Sequence, residues 1–172
     1  EGKGVLDLGA NCGGFTKMAL EAGAQKVIAI EPCPYNFEIL EINAPLAENI
    51  NGAITELKTD SVDFFYSASK RSSSSGSTCK RRNYSGIFKT IPAYNINEIL
   101  EKYKPSVVKM DIEGKEYDIF DAIGKIPEYI EEFAIEFHWF SEPYLSYPQK
   151  CFEGWKADVK GHKRFGKMLY ND

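Results

Sequence analysis

The chain has 172 residues, of which 43% are apolar and 13% aromatic, so it has enough apolar side chains for the core of one domain and is not globally disordered. Its 21 Lys and Arg against 25 Asp and Glu give a formal net charge of −4, which argues against broad binding of nucleic acid or of an anionic membrane. No apolar run approaches the ~20 residues that a membrane span needs.

The first half of the chain alternates buried strands with helices. Apolar runs at 5–8 and 27–30 predict strands, and each is followed by a helix-spaced segment. The first helix is expected to stop at Gly23, and its core face consists of Phe15, Met18, Ala19 and Ala22. The second helix, over 34–44, carries two apolar stripes, which predict burial on two sides: Tyr35, Ile39 and Ile42 on one, and Phe37, Leu40 and Ala44 on the other.

The middle of the chain is less regular. Two strands are predicted at 53–57 and 63–66, joined by a turn at 59–61. The Ser- and Gly-rich segment 67–86 is either a solvated mobile loop or a lid that helps to hold an anionic substrate. The lid interpretation relies on its unpaired cations, which are Lys70, Arg71, Lys80, Arg81 and Arg82.

Regular patterns return in the last part of the chain. A helix is predicted from residue 96, capped by Asn95 with Glu98 three residues on. Strands at 107–110 and 133–138 flank a helix at 114–123, and a further helix is predicted after residue 150. The strand-helix alternation predicts an α/β fold with a mostly parallel central sheet, in a single domain over 1–172.

The cysteines and the N-terminus bear on where the protein works. The four cysteines are sparse and form no C-x-x-C pair, so we expect free thiols in a reducing compartment, the cytoplasm, rather than a disulfide framework or a zinc knuckle. The N-terminal sequence has no apolar signal-peptide core, and we expect it to be the interior of a larger chain, cut just before a strand.

The glycine-rich turn at 9–14 predicts a nucleotide-binding corner. A strand, a glycine turn and a helix N-terminus together let backbone approach a ligand and offer it free N–H groups. Glu31 stands at the tip of the next strand, where a carboxylate can accept hydrogen bonds from two ribose hydroxyls. Up to this point a dinucleotide fits as well as S-adenosylmethionine.

Asn11 and Asp7 favour S-adenosylmethionine over a dinucleotide. Asn11 stands where the dinucleotide pattern needs a glycine, and Asp7 would repel a pyrophosphate by several kcal/mol in a poorly screened site. A ligand with a sulfonium and an ammonium group tolerates both residues. Two structural alternatives stay open: Asp7 binds backbone amides of the turn, and Glu31 serves only as a helix N-terminal charge.

The motifs resemble those of the FkbM family of S-adenosylmethionine-dependent methyltransferases. The matching stretches are VLDLGANCGGFT, VIAIEPCPYNFEIL, SVVKMDIEGKEYDIF and FAIEFH, in that order, and the D-x-E-G-x-E run is the most specific. The resemblance implies a class I, Rossmann-like three-layer methyltransferase fold. The chain departs from it by lacking the helices before the first strand and a clear closing pair of strands after residue 140, so we expect truncation at both ends.

The resemblance also implies the site and the reaction. The reaction is methyl transfer to a hydroxyl of a sugar, glycan or natural-product acceptor, with no nucleic acid as partner. The basic 70–82 segment favours an anionic acceptor such as a nucleotide-linked sugar. The donor site would comprise Asp7, Gly9, Ala10, Asn11, Gly13, Phe15, Thr16, Glu31, Pro32 and Asp111. Asp111, Glu113 and Glu136 would line the cleft near the transferred methyl group.

The catalytic residues are predicted where strands end. His138 is suited to act as a base toward the acceptor hydroxyl, alongside Asp111 and Glu113, although it also reads as a hydrogen-bonded structural histidine. Asp111, Glu136 and His138 form a weaker candidate site for magnesium or manganese, and metal dependence is not the favoured expectation. Two other functions remain open: a nicotinamide-dependent oxidoreductase and a non-catalytic Rossmann-like binding module.

Overall fold

The computed structural model describes residues 2–66, 86–138, 157–162 and 165–170. The elements of these segments, in chain order, are β1 (Gly4–Leu8), α1 (Gly14–Glu21), β2 (Lys26–Glu31), α2 (Pro34–Asn43), β3 (Glu48–Asn51), β4 (Ala53–Thr55), β5 (Ser61–Tyr66), β6 (Ile87–Asn95), α3 (Ile96–Tyr103), β7 (Val107–Met110), α4 (Glu116–Ile123), β8 (Glu132–His138), β9 (Ala157–His162) and β10 (Phe165–Tyr170).

The centre of the fold is a seven-stranded sheet in the order β3-β2-β1-β7-β8-β10-β9. The first five of these strands pair in parallel, and β10 runs antiparallel to both β8 and β9. A smaller three-stranded sheet has the order β4-β6-β5. Because β1, β2 and β7 are parallel neighbours, their carboxyl ends meet at one edge, and this is where ligands of open α/β sheets bind.

The two faces of the central sheet are covered differently. Leu6, Ile28 and Val108 are neighbours in the register and pack with buried side chains of α3 and α4 on one face. On the opposite face Ala29 packs against Leu40 of α2 in a smaller cluster. Asp7 and Lys109 also project to this second face, since they are the register neighbours of Ala29 and of one another. The second layer is therefore less apolar than the first.

Most predicted elements are confirmed, with shifts at their ends. All strands predicted at 5–8, 27–30, 107–110 and 133–138 are present, and the side chain of Asn95 caps α3 by accepting from the amides of Asn97 and Glu98. The helix predicted from residue 114 begins at Glu116. No helix in the described ranges is long and apolar enough to cross a membrane.

The predicted buried face of the first helix is wrong, and only one of the two faces predicted for the second helix is confirmed. In α1 the buried residue is Thr16, while Met18 is 57% exposed. In α2 the stripe with Leu40 and Ala44 packs into the core as predicted, whereas in the other stripe Tyr35 is half-buried and Ile42 is 77% exposed. Thr16 faces inward because its hydroxyl donates a hydrogen bond to the buried Asp7, and a pattern of apolar residues does not detect such a contact.

The C-terminal prediction is also wrong. Where a helix was expected after residue 150, β9 and β10 form an antiparallel pair that extends the sheet beyond β8. The closing pair of strands whose absence was expected is thus present. The structure also contains β3 and β6, which were not predicted, whereas the predicted loop at 67–86 falls outside the described residues except for Gly86.

Candidate active site

A cleft opens where β1, β2 and β7 end. The space between its walls, open solvent at the mouth included, is about 610 Å³. Its polar lining comes from the strand ends and from the segments that follow them, and its apolar lining comes mainly from β4, β5 and the segment after β7. The lining residues are Gly9, Asn11, Ile30, Glu31, Pro32, Asn36, Gly52, Ala53, Ile54, Phe64, Asp111, Ile112, Glu113 and Lys115.

Glu31 is held at the edge of the cleft by hydrogen bonds to its carboxylate. Its carboxylate accepts hydrogen bonds from the amides of Asn11 at 2.8 Å and Cys33 at 2.9 Å, and a long one from the Asn36 side chain at 3.5 Å. Burial raises the pKa of Glu31 to about 7, although these donors and the charge of Lys109 oppose the shift. Glu31 therefore links the glycine turn to the start of α2 and presents its carboxyl group to the cleft.

The glycines of the turn serve contacts within the protein. Gly9 has a φ of 77°, and a Cβ there would lie 1.9 Å from the carbonyl oxygen of Asp111. Gly13 has a φ of 85°, and its Cβ would lie 2.9 Å from Leu40 Cδ1. Gly9 thus lets the turn lie directly on the segment that follows β7, and Gly13 lets it pack on α2.

Asp7 lies beneath the turn rather than in the lining of the cleft. It is fully buried, and its Oδ2 accepts a hydrogen bond of 2.6 Å from the Thr16 hydroxyl. Its Oδ1 has no well-aligned hydrogen bond among the described residues, but Lys109 Nζ lies 3.3 Å away. Burial raises the pKa of Asp7, and Lys109 and Thr16 counteract that shift.

Lys109 ties the ends of β1 and β7 together. Its Nζ donates a 2.8 Å hydrogen bond to the carbonyl of Gly9 and also lies 3.6 Å from Asp111 Oδ2. The positive charge of Lys109 offsets the charge of the buried Asp7 carboxylate, which was predicted to face the ligand. The acids that a ligand meets in the cleft are therefore Glu31, Asp111 and Glu113.

The segment between β7 and α4 is organised by Glu116. This side chain is fully buried, and its carboxylate accepts from the amides of Gly114 at 3.0 Å and Ile112 at 3.2 Å. The same carboxylate lies 2.8 Å from His138 Nδ1. Glu113 adopts a φ of 58°, a left-handed conformation that is uncommon for a residue with a side chain. Glu116 therefore fixes both the loop and the imidazole.

His138 completes a cluster with Asp111 and Glu113. Its Nε2 lies 3.8 Å from Asp111 Oδ1 and 3.7 Å from Glu113 Oε2, and the ring is buried. Burial alone would lower the pKa of His138, but the hydrogen bond to Glu116 and the charges of Glu116, Glu113 and Asp111 outweigh it and raise the pKa. The environment therefore favours positive charge at this point.

The structure brings part of the predicted site together. Of the residues predicted for the donor, those that line the cleft are Gly9, Asn11, Glu31, Pro32 and Asp111, and the predicted catalytic residue Glu113 lines it as well. Those that belong to β1, the turn or α1 without lining the cleft are Asp7, Ala10, Gly13, Phe15 and Thr16. Glu136 is not part of the His138 cluster, where Glu113 takes its expected position.

Several site residues were missed. Lys109 and Glu116 lie inside motifs that were singled out, but their partners are distant in sequence. The apolar side of the cleft is formed by Ile54, Phe64 and Ile112, which come from three different segments of the chain. Lys115 also lines the cleft, and its Nζ lies 3.0 Å from Glu56 Oε1 and 2.6 Å from Asp118 Oδ2. Of these, only Lys109 could have been suspected from sequence. A lysine between two apolar residues of a buried strand needs an acidic partner, although the sequence does not say which acid that is.

The prediction of free thiols can be checked for two of the four cysteines. Cys12 and Cys33 are free thiols, and Cys33 is buried. Burial raises the pKa of both thiols, so both stay neutral near pH 7. Cys79 and Cys151 fall outside the described residues.

Comparison with known proteins identifies the family and the fold. The model of the methyltransferase FkbM domain matches residues 7–145, most of the chain. No curated protein sequence matches significantly. A precorrin-6y C5,15-methyltransferase from Geobacter metallireducens GS-15 superposes with a TM-score of 0.52 at 11% identity, covering 99% of this chain and 80% of the other.

Two further structures are similar over nearly the whole chain. A TehB-like SAM-dependent methyltransferase from Corynebacterium glutamicum gives a TM-score of 0.53 at 9% identity, covering 100% of this chain and 81% of the other. A protein in the NADB-Rossmann superfamily from Streptococcus agalactiae gives 0.52 at 10% identity, covering 99% and 62%. Similarity at this level establishes the class I, Rossmann-like fold and leaves the ligand to be argued from the site.

Proposed function

The chain belongs to the FkbM methyltransferase family, and on that premise we propose that it is an S-adenosylmethionine-dependent O-methyltransferase acting on a hydroxyl of a sugar, glycan or natural-product scaffold. The family accounts for methyl transfer and implies S-adenosylmethionine as donor. The choice of a hydroxyl acceptor is supported by the His138 cluster, where a proton can be received next to the cleft.

The charge of the cleft lining is the observation that carries the proposal. The lining holds three carboxylates, from Glu31, Asp111 and Glu113, and the single cation in the described lining, Lys115, already pairs with two acids outside it. A dinucleotide would bring phosphates into this acidic site, at a cost of several kcal/mol where screening is poor. A donor with a sulfonium and an ammonium group is attracted instead, which disfavours the nicotinamide-dependent alternative.

The donor fits residues on both sides of the cleft. We propose that the ribose hydroxyls of the donor bind the carboxylate of Glu31 and that its adenine ring packs against Ile54, Phe64 and Ile112. Asp7 and Thr16, which were predicted to contact the donor, hold the turn from beneath through their 2.6 Å hydrogen bond. When bound, S-adenosylmethionine supplies a methyl group on a positively charged sulfur, so that an acceptor oxygen can bond to the methyl carbon as the carbon–sulfur bond breaks.

The chain itself contributes alignment and removal of a proton. Holding donor and acceptor in line can supply roughly 7–11 kcal/mol of the barrier. Loss of the hydroxyl proton at the Asp111, Glu113 and His138 cluster adds a further ~10²–10⁴-fold. Because Glu116 fixes the imidazole through Nδ1, the Nε2 atom is the one available on the side of Asp111 and Glu113.

A product analysis tests this function. The protein is incubated with S-adenosylmethionine carrying a labelled methyl group and with panels of sugars, nucleotide-linked sugars and natural-product alcohols, and the products are analysed by mass spectrometry and NMR. We expect a labelled methyl ether. A product methylated on carbon or nitrogen, with every hydroxyl acceptor left unchanged, would contradict the proposal while leaving the family assignment intact.

A further inference from the structure

The geometry of the loop after β7 points to a metal site, and we propose that Asp111, Glu113 and His138 bind a divalent cation of the manganese type. One ligand atom from each side chain lies within 4.8 Å of the other two. Bonds of about 2.0–2.6 Å from a hard cation to its ligands place any two ligands of one ion at most ~4–5 Å apart. The three side chains therefore already surround a common point.

The partner of His138 on its other nitrogen supports a ligand role. Glu116 Oε1 lies 2.8 Å from Nδ1, and the Glu116 carboxylate is itself held by the amides of Gly114 and Ile112. The carboxylate oxygen accepts from Nδ1–H, so in the neutral ring, the form that binds a metal, the lone pair is on Nε2, which lies 3.8 Å from Asp111 Oδ1 and 3.7 Å from Glu113 Oε2. Histidine ligands of metals commonly donate their second N–H to a carboxylate in this way.

The charge balance of the cluster also calls for a cation. Three carboxylates, those of Asp111, Glu113 and Glu116, lie around one imidazole. Lys109 approaches only the second oxygen of Asp111, at 3.6 Å, and shares its charge with the buried Asp7. A divalent cation between the three proposed ligands would be attracted by these carboxylates, and it would give Asp111 Oδ1 a positive neighbour as Lys109 does for Oδ2.

The position of the cluster gives the cation a chemical role, which rests on the proposed O-methyltransferase function. Asp111 and Glu113 line the cleft, so an acceptor bound there has its hydroxyl next to the ion. With the ion bound, the Nε2 lone pair would be taken up by the metal, and this route would replace the one in which the imidazole receives the proton. The cation would lower the pKa of the acceptor hydroxyl, the proton would pass to water, and the oxygen would bond to the methyl carbon as the carbon–sulfur bond breaks. Mixed carboxylate and imidazole ligands suit manganese better than calcium or magnesium, which prefer oxygen alone.

Titration of Mn²⁺ into chelator-treated protein, followed by electron paramagnetic resonance of the free ion, tests the site without donor or acceptor. We expect one Mn²⁺ per chain for wild type and for Glu136→Gln, the matched control two residues before His138 on β8. Glu113→Gln is expected to bind at least tenfold more weakly. Glu116→Gln is expected to weaken binding by about 10–100-fold although it touches no ion, because the imidazole loses its anchor.

The outcomes separate the metal site from the function. Absence of stoichiometric Mn²⁺ binding, or equal weakening by Glu113→Gln and Glu136→Gln in proteins with unchanged thermal unfolding, would overturn the site. Calorimetry of S-adenosylmethionine on the chelated protein is run in parallel. Donor binding without Mn²⁺ binding contradicts the metal site alone, and Mn²⁺ binding without donor binding contradicts the function alone.

Discussion

At the end of β2 the Glu31 carboxylate lies among neutral N–H donors, whereas at the end of β7 Asp111 and Glu113 lie beside an imidazole and an ammonium group. The first arrangement stabilises one buried acid and suits a ligand that donates hydroxyls. The second gathers negative charge and suits a positive ligand or a proton. Under the proposed function, the Glu31 part of the cleft would hold the donor and the Asp111 and Glu113 part would carry out the chemistry.

The largest expected effect comes from His138→Gln, which sharpens this division. We expect the rate of methyl transfer at saturating donor to fall by about 10²–10⁴-fold, because the cluster loses its imidazole. Donor affinity, which depends on the Glu31 side, should change by less than about threefold. Turnover and calorimetric affinity measured on the same preparation check both statements, and a parallel loss of donor binding would mean that the two regions are not separate.

Glu31→Ala should produce the complementary effect. Its removal takes away the acceptor of the ribose hydroxyls and leaves the amides of Asn11 and Cys33 without their side-chain acceptor, so donor affinity should fall by about 100-fold. Glu38→Ala, an exposed acid on α2, is the control and should bind as wild type does. Calorimetric titration with the demethylated product measures both variants. Equal affinity of Glu31→Ala and wild type would remove Glu31 from the donor site.

Gly9→Ala tests the contact that joins the two regions. An alanine there is strained by the positive φ, at about 1–3 kcal/mol, and its Cβ meets the Asp111 carbonyl. Gly14→Ala is the matched control, because a Cβ at that position meets no atom within 4 Å. Gly14 is the first residue of α1, where alanine should raise the free energy of unfolding by about 0.5–1 kcal/mol. Urea unfolding followed by circular dichroism should therefore show opposite shifts, and similar shifts would argue against the close approach.

The smallest predicted effect is a pH dependence from the raised pKa of Glu31, about 7. Ribose hydroxyls bind the ionised carboxylate better than the neutral acid, and the ionised fraction falls as pH is lowered through 7. Donor affinity should therefore be about tenfold weaker at pH 6 than at pH 8. The neighbouring thiols of Cys12 and Cys33 stay neutral in this window because burial raises their pKa, and the charge of Lys109 acts to lower the pKa of Glu31.

Calorimetry at three pH values checks this profile, with Glu31→Gln as the control. The variant has no carboxyl group to titrate, so its weaker binding should be flat across the same range. A wild-type affinity that is also flat, or that rises toward pH 6, would show that Glu31 does not meet the donor.

The sequence allowed the first corner of the fold to be predicted because its signals are local. Apolar runs define β1 and β2, and Gly9 and Gly13 occupy positions with positive φ that favour glycine. In contrast, β3 is the polar stretch ENIN at the edge of the central sheet, none of its residues is buried, and it therefore has no apolar run to detect. The paired strands β9 and β10 contain charged and glycine residues that mask their alternation.

The remaining site contacts depend on register and therefore could not be predicted. Asp7 and Lys109 are neighbours only because β1 and β7 pair in one particular alignment, although about a hundred residues separate them in sequence. Glu116 stands in the first turn of α4, but its side chain lies inward, where His138 and the amides of Ile112 and Gly114 contact it. The acidic residues could be placed at strand ends from sequence, but their partners could not.

Calorimetric titration of the chelator-treated wild-type chain with S-adenosylmethionine and, separately, with NADH compares a cationic with an anionic ligand at the acidic lining of the cleft. We expect micromolar binding of S-adenosylmethionine and no measurable binding of NADH. Binding of NADH with no heat from S-adenosylmethionine would show that the cleft does not select a cationic donor.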